Sequence, residues 1–182
     1  MNNILWEKIS SYARTKLDSF FDATVMVVID PEIESMFYDH KGFYIGVVDS
    51  SNNCILREGF LQDRQANIKN SIDNVVSNLF STCKQNNITR EKLQTSTFYF
   101  YIVTDCIYLK DPLKWDENVD GIYFMWGQKF RGLYLPYQIK QLGLSKIDAL
   151  DRLLSVEIGV ISTLWRMPEG LVFKISCLSY ES

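Results

Sequence analysis

The stretch Gly121–Leu154, GIYFMWGQKFRGLYLPYQIKQLGLSKIDALDRLL, decides the fold class of this chain. Two apolar runs, Gly121–Trp126 and Gly132–Leu135, flank the more polar segment Gly127–Phe130, a pattern typical of a β-hairpin. Pro136 follows directly, and its fixed φ angle suits the first position of a helix. The stretch therefore predicts a hairpin that leads at once into helix.

Two helix boundaries are encoded in the same stretch. Gly143 predicts the end of the helix that Pro136 begins, because glycine readily adopts the left-handed conformation at a helix C-terminus. Ser145, with Asp148 three residues later, is a variant of the capping box and predicts the start of the next helix. The residues expected on the apolar face of that second helix are Ile147, Leu150, Leu153 and Leu154.

The rest of the chain mixes long helices with strands. Apolar residues recur at helical spacing over about Asn3–Phe21 and Arg64–Cys83, which predicts two amphipathic helices. The runs whose β-branched and aromatic content predicts strands are Ala23–Ile29, Gly42–Val48, Cys54–Leu61, Thr95–Leu109 and Leu171–Tyr180. Thr95–Leu109 has aromatic residues at both alternating positions, which favours a central place in a sheet.

This order of elements indicates an α+β fold. Because helices alternate with hairpins and not with regular βαβ units, we expect a mainly antiparallel sheet flanked by helices. At 182 residues the chain fits a single domain over residues 1–182, with room for a smaller second lobe.

Composition and charge argue against several classes of protein. The formal net charge is -3 with a pI near 5.2, and no Lys or Arg cluster stands out, so no nucleic-acid partner is expected. The N-terminal segment mixes charges among its apolar residues, unlike a signal peptide, and no apolar run approaches the span of a bilayer. We therefore expect a cytoplasmic protein without a membrane partner.

The cysteine and histidine positions do not resemble a metal site. Cys54, Cys83, Cys106 and Cys177 are scattered, and His40 is the single histidine. Zinc sites cluster such residues, and disulfide frameworks belong to secreted chains, so we expect no metal and mostly buried thiols. His40 lies in a polar stretch and is expected to be exposed.

Arg57 and Glu58 are charged residues within the otherwise apolar run Cys54–Leu61. One interpretation is an edge strand whose charges face water and discourage pairing with other chains. The other is a pocket wall, in which Arg57 binds a carboxylate or phosphate through two hydrogen bonds and Glu58 acts as acid, base or hydrogen-bond acceptor.

Aromatic residues near the hairpin could complete such a pocket. Trp126, Tyr134 and Tyr137 are candidates for an aromatic, ligand-binding cleft, although each one taken singly is also suited to core packing. Arg131 is a candidate ligand-binding cation, and the alternative is that Arg131 and Lys129 simply solvate the hairpin.

The order of elements and several short motifs resemble the AMMECR domain family, and the resemblance covers essentially the whole chain. In archaea and bacteria that family is often encoded near a Memo-type protein and a radical-SAM protein, and this chain is similar to the protein A component of that system. The segments that carry the resemblance are Asp120-Gly121-Ile122, Leu133-Tyr134-Leu135-Pro136, Gly143-Leu144-Ser145 and Gly42-Phe43-Tyr44-Ile45.

The chain departs from the family where a reactive centre has been suspected. The family signature Leu-Arg-Gly-Cys-Ile-Gly corresponds here to Leu56-Arg57-Glu58-Gly59-Phe60-Leu61, which keeps the arginine and lacks the cysteine. An expected Asp-Pro-Arg-Phe element is replaced by Ser81–Asn87, and Tyr137 occupies a position that usually holds Gln. Cys54 could replace the missing thiol, but a regular strand would place it on the face opposite Arg57.

The sequence leaves three functions open. The first is a divergent, accessory or non-catalytic AMMECR-like protein that binds a small anionic metabolite or a peptide in a cleft beside Arg57 and Glu58. The second is a diverged enzyme of small-molecule or peptide modification, with Glu58 as acid or base, Arg57 as anion clamp and Tyr134 as a further catalytic residue. The third is an interaction module whose aromatic surface packs in a homodimer or against another protein. No nucleotide, metal or flavin motif is present, so no cofactor is expected.

Overall fold

Residues 3–38, 40–51, 53–61 and 66–182 are described by the structure, which is a computed structural model. The chain divides into two units. Unit 1 comprises Met1–Val103 with Leu178–Ser182, and unit 2 comprises Thr104–Cys177. No helix in the described part of the chain has the length and hydrophobicity needed to cross a bilayer.

Apart from the segment Ala23–Ile29, the main elements follow the order expected from the sequence. Those of unit 1 are α1 (Asn3–Phe21), α2 (Pro31–Ser35), β1 (Phe37–Tyr38), β2 (Gly42–Val48), β3 (Cys54–Leu61), β4 (Ala66–Asn67), α3 (Ile68–Gln85), α4 (Arg90–Gln94) and the first part of β5 (Thr97–Tyr108). Those of unit 2 are the rest of β5, β6 (Gly121–Trp126), β7 (Phe130–Tyr134), α5 (Pro136–Leu142), α6 (Lys146–Arg152), a π-helical turn (Leu153–Ile158), a 3-10 helix (Ser162–Arg166) and most of β8 (Leu171–Glu181).

The strands form an antiparallel sheet that confirms the α+β fold class. Its order is β3-β2-β5-β8-β6-β7, which places β5 in the interior, as predicted, and β3 and β7 at the edges. Strands β1 and β4 pair separately over two residues each.

Helices α1 and α3 cover one face of the strands of unit 1. Phe43, Ile45 and Val47 alternate along β2, are buried, and lie in one hydrophobic cluster with residues of both helices. Leu56 of β3 joins the same cluster. The period of two residues is the one expected for strands with a single helix-covered face.

Unit 2 has its own hydrophobic cluster between the β6–β7 hairpin and the helices that follow it. Ile122 and Phe124 of β6 are buried there with Leu150 of α6. Ser145 caps α6 as predicted, accepting a hydrogen bond from the Asp148 N–H at 3.2 Å. Ile147 was expected on the apolar face of α6 but is 44% exposed, because the buried face is completed by residues farther along the chain.

The prediction of a strand over Ala23–Ile29 is wrong. These residues form a turn and then an irregular segment, and none of them belongs to a ladder within the described part of the chain. The β-branched run indicated extended backbone correctly, but a strand also needs a neighbour, and a local run cannot specify one.

Two further predictions need correction. His40 is not exposed but fully buried, and its Nε2 atom lies 3.1 Å from the Ser71 Oγ on α3, so a distant helix supplies the polar partner. The helix predicted over Arg64–Cys83 begins at Ile68, because Asn67 caps it by accepting a hydrogen bond from the Asn70 N–H. Residues 64 and 65 lie outside the described residues.

Candidate functional site

Edge strand β3 carries both charged residues of the predicted site and places them on opposite faces. Leu56 packs in the core of unit 1, and Glu58, two residues later, lies on the same face. The Glu58 Oε1 atom accepts a hydrogen bond of 2.6 Å from the Thr82 Oγ1 of α3. Arg57 therefore belongs to the face directed away from α3, and the two side chains do not line one wall together.

Glu58 lies beneath helix α3, where it accepts a hydrogen bond. Its neighbour Cys83 is buried, and burial raises the pKa of that thiol to about 11, with the negative charge of Glu58 adding to the rise. Both β3 charges are half-buried and neither is in bulk water. The hydrogen bond to Thr82 nevertheless directs Glu58 away from Arg57.

The strand register places Arg57 in line with a glycine and a tyrosine. Arg57 lies opposite Gly46 of β2, and Gly46 lies opposite Tyr99 of β5. Residues that are directly opposite share a face, so these three form one row, and the Cα atoms at its two ends are about 10 Å apart. Gly46 has no side chain, so only the side chains of Arg57 and Tyr99 can reach over the middle of this row, here called the Arg57 row.

A second tyrosine adjoins the Arg57 row. Tyr44 of β2 lies opposite Gly59 of β3, and a Cβ atom at Gly59 would overlap with the Tyr44 ring. Gly59 thus permits the ring to lie flat across β3, two residues from Arg57. A side chain at this position would displace Tyr44 from the row.

Tyr99 is held in its protonated form at one end of the row. Burial raises the pKa of its hydroxyl, and the charge of Glu181 and a hydrogen bond to Glu181 raise it further. The phenol therefore remains a neutral hydrogen-bonding group through the physiological pH range.

The aromatic candidates from the hairpin lie in unit 2. Tyr134 is fully buried in the hydrophobic cluster of that unit, opposite Ile122. Trp126 lies opposite Phe130 and packs against the same cluster, and Tyr137 is half-buried on α5. These surroundings match the core-packing interpretation of Tyr134 and Trp126.

Arg131 lies on the other face of the hairpin from Tyr134. It is exposed, and its position three residues before Tyr134 on β7 gives it the opposite orientation. Its charge acts on Tyr123, where it opposes the rise in the tyrosine pKa that burial causes. The solvating interpretation of Arg131 and Lys129, which is also exposed, fits this placement.

The four cysteines are all free thiols, and one of them is exposed. The expectation of mostly buried thiols is therefore wrong, because Cys83 is buried but Cys106 and Cys177 are half-buried and Cys54 is exposed. The Cys54 Sγ atom donates to the Leu56 carbonyl oxygen at 3.4 Å. Burial raises the pKa of Cys177 to about 12, with the charge of Asp120 adding to the rise. In the described part of the chain, no three His, Cys, Asp or Glu side chains come together as a metal-binding group.

Tyr44, Gly46 and Tyr99 are the neighbours of Arg57 that sequence reasoning missed. Alternation along Gly42–Val48 does place Tyr44 and Gly46 on the face opposite Phe43. That signal could have selected them once β2 was known to pair with β3. Tyr99 needed the register of a third strand, which no local pattern supplies.

Comparison with known proteins identifies a similar fold. No protein-family model matches the chain, and no curated protein gave a significant sequence match. The crystal structure of the uncharacterized protein PH0010 from Pyrococcus horikoshii is similar, with a TM-score of 0.75 over 96% of this chain and 89% of that one. The two sequences are 13% identical, so the similarity establishes the fold and carries no functional assignment.

Proposed function

We propose that this chain is a divergent AMMECR-like domain that binds the carboxylate or phosphate of a small metabolite or peptide at Arg57, as an accessory protein without catalysis. The observation that carries the proposal is the Arg57 row, in which a guanidinium and a neutral phenol on one face of the sheet are separated by a glycine. The resemblance in sequence motifs and the retained Leu56-Arg57 pair support the family assignment.

The chemistry of the Arg57 row suits an anionic group of a few atoms. A guanidinium presents its N–H donors as a planar fork that matches the two oxygens of a carboxylate or phosphate. Arg57 is half-buried on an otherwise apolar strand, and a charge-assisted hydrogen bond is stronger where water is partly excluded. Tyr44 and Tyr99 supply ring surface beside it, as is common in ligand sites.

Binding is better supported than catalysis. The enzyme hypothesis needs Glu58 next to Arg57, whereas the Glu58 carboxylate bonds to Thr82 on the other face of β3. The family cysteine is absent. The strand is not regular at Cys54, because the register shifts between Val47 and Val48 and places Cys54 opposite Val48, so the expected placement of Cys54 on the face of Glu58 does not hold. Cys54 lies at the end of the β2–β3 pairing, outside the Arg57 row. Tyr134, the third residue of that hypothesis, is a core residue of unit 2.

The test is a binding titration of the full chain with three probes: inorganic phosphate, a dicarboxylate such as succinate, and a dipeptide. Isothermal titration calorimetry should detect at least one of them, and Arg57→Ala should weaken that binding by tenfold or more, since it removes the charge-assisted pair. Arg57→Lys should recover part of the affinity, because the charge remains while the fork is lost.

A matched control is Arg131→Ala, which removes an exposed arginine of a different strand and should change affinity less than twofold. The proposal fails if Arg57→Ala binds each probe as the wild type does, or if Arg131→Ala has the larger effect. Circular dichroism spectra and melting curves of each variant establish that a loss of binding is not a loss of folding.

A further inference from the structure

The segment between α1 and α2 has the side-chain pattern of a strand. Val27 and Ile29 pack against the core of unit 1, whereas Met26 and Val28 are 84% and 78% exposed. Side chains that alternate between core and solvent with a period of two indicate extended backbone. Two large apolar side chains are therefore displayed next to each other on one solvent-facing side.

The backbone of this segment is open to pairing. The Val25 N–H donates to the Asp22 carbonyl at 3.1 Å, and the next backbone hydrogen bond along the chain is accepted by the carbonyl of Asp30. Within the described residues, no hydrogen bond involves the backbone groups of residues 26–29. These four residues, here called the open edge, present the donors and acceptors that an added strand would use.

A groove adjoins the open edge. It is a cavity of about 370 Å³ between the start of α1 and the extended segment. The residues that line it are Ile4, Glu7, Lys8, Ser11, Tyr12, Val28 and Asp30. Ile4 is 63% exposed, so apolar surface continues from Val28 of the open edge to the first turn of α1.

The charge around the groove is negative. The Lys8 ammonium is already paired with Asp30 at 3.1 Å and with Glu32 at 2.7 Å. Glu7 lines the groove. The pKa of Tyr12 is raised mainly by burial, then by the hydrogen bond and the charge of Asp73, and last by the charge of Glu34 on α2, which therefore also lies near the groove. Asp73 is itself paired with Lys69 at 2.8 Å. Five carboxylates thus stand against two ammonium groups, which favours a cationic partner.

We propose that the open edge is a docking site for an extended segment of another protein, a strand with alternating apolar side chains flanked by Lys or Arg. The added strand pairs with the backbone of residues 26–29, its inward apolar side chains cover Met26 and Val28, and its cationic ends meet Glu7 and Glu34. A second copy of the same segment is disfavoured, because self-pairing would bring together two groove rims that both carry excess negative charge, from Glu7 and Glu34.

The test uses the full chain and a fluorescent peptide, Lys-Lys-Val-Thr-Val-Thr-Val-Lys-Lys, followed by fluorescence anisotropy. Saturable binding is expected, and replacing the four lysines of the peptide with glutamate should weaken it at least tenfold. A peptide with proline in place of the central valine should bind at least fivefold more weakly, because proline removes a donor from the ladder.

Protein variants locate the site. Val28→Pro should weaken peptide binding at least fivefold, and the charge reversals Glu7→Lys and Glu34→Lys should each weaken it several-fold. Ile161→Ser, which alters a residue of unit 2 that is 70% exposed, is the matched control and should leave affinity unchanged. Binding that is equal for the lysine and glutamate peptides, or unaffected by Val28→Pro, would overturn the proposal.

Amide hydrogen exchange tests the same site without any substitution. The amides of residues 26–29 should exchange rapidly in the free chain and become protected when the peptide is added. Protection already present in the free chain at low concentration would show that the edge is not open. Protection that appears only as protein concentration rises, with dimers in size-exclusion chromatography, would assign the edge to a second copy and refute the basic partner.

Discussion

Arg57 and Glu58 are adjacent in sequence, and the pleat of β3 places their side chains on opposite faces of the sheet. Glu58 accepts a hydrogen bond from Thr82 and so joins β3 to α3, whereas Arg57 takes part in a row with Gly46 and Tyr99. A buried or half-buried carboxylate with a satisfied hydrogen bond contributes to stability, and removing its partner costs about 1–3 kcal/mol. Glu58 is therefore a structural charge that joins β3 to α3, and Arg57 is the charge proposed to bind an anion.

The thiols give a pH-dependent prediction at the residue scale. Burial raises the pKa of Cys83 to about 11 and that of Cys177 to about 12, so at pH 8 both remain thiols in the folded chain. Thiolate is the reactive form. With Ellman's reagent at pH 8, exposed Cys54 should react first, and Cys83 and Cys177 should react at least tenfold more slowly.

The raised pKa values of Cys83 and Cys177 also make the stability of the fold depend on pH. Because burial raises these two pKa values, the folded chain favours the protonated thiols over the thiolates. The protonated thiols therefore contribute fully to the free energy of unfolding below the ordinary thiol pKa, and this contribution is lost as the pH rises through the pKa values of the folded chain. The slow labelling of Cys83 and Cys177 should therefore accelerate between pH 9 and 11. Cys54→Ser should remove the fast phase of labelling. Equal labelling rates for Cys54, Cys83 and Cys177 in the folded chain at pH 8 would contradict this assignment.

At the scale of elements, the sequence was most informative where one face of an element is buried and the other is not. The bounds of α1, β2, β3 and β6 match their predicted ranges, and the caps at Gly143 and Ser145 end and begin helices as expected. Local rules were insufficient wherever a distant partner decides the outcome. Ala23–Ile29 lacked a neighbouring strand, and the burial of His40 depends on Ser71 of α3.

Two glycines of the β6–β7 hairpin are required for different physical reasons, which predicts different responses to substitution. A Cβ at Gly132 would lie 2.7 Å from Cγ1 of Ile158, so Gly132→Ala overpacks the core of unit 2 and should cost about 1–3 kcal/mol. Gly127 has open space around it but a φ of +59°, so Gly127→Ala should cost about 1 kcal/mol of backbone strain.

Chemical denaturation of paired variants distinguishes the two causes. Gly127→Asn should be close to neutral, because asparagine tolerates the left-handed region. Ile158→Val should partly rescue Gly132→Ala by shortening the side chain that is overpacked, and it should not rescue Gly127→Ala. Additive effects of Gly132→Ala and Ile158→Val would mean that the two side chains do not compete for space.

At the scale of the whole molecule, the fold class followed from the order of elements, but the candidate site did not. Arg57, Gly46 and Tyr99 come from three strands, and their alignment depends on the register of β3 on β2 and of β2 on β5. Motif similarity directed attention to Arg57 and then to Tyr134, which the structure assigns to the core of unit 2. The pairing of Gly46 with Tyr99 joins strands that are far apart in sequence, and the periodicity of any one segment cannot predict it.

The arrangement predicts that ligand affinity depends on one face of β3 and is indifferent to the other. For whichever anion binds in the calorimetric titration, Arg57→Gln should weaken binding tenfold or more, because Arg57 is the donor of the row, whereas the Tyr99 hydroxyl is already bonded to Glu181. Glu58→Gln should change it less than twofold, because the Glu58 side chain bonds to Thr82 on the opposite face. If the chain were instead an enzyme with Glu58 as its acid or base, Glu58→Gln would abolish turnover and perturb binding at neutral pH. A large effect of Glu58→Gln together with no effect of Arg57→Gln would transfer the site to the α3 side of the strand and refute the Arg57 row as the binding surface.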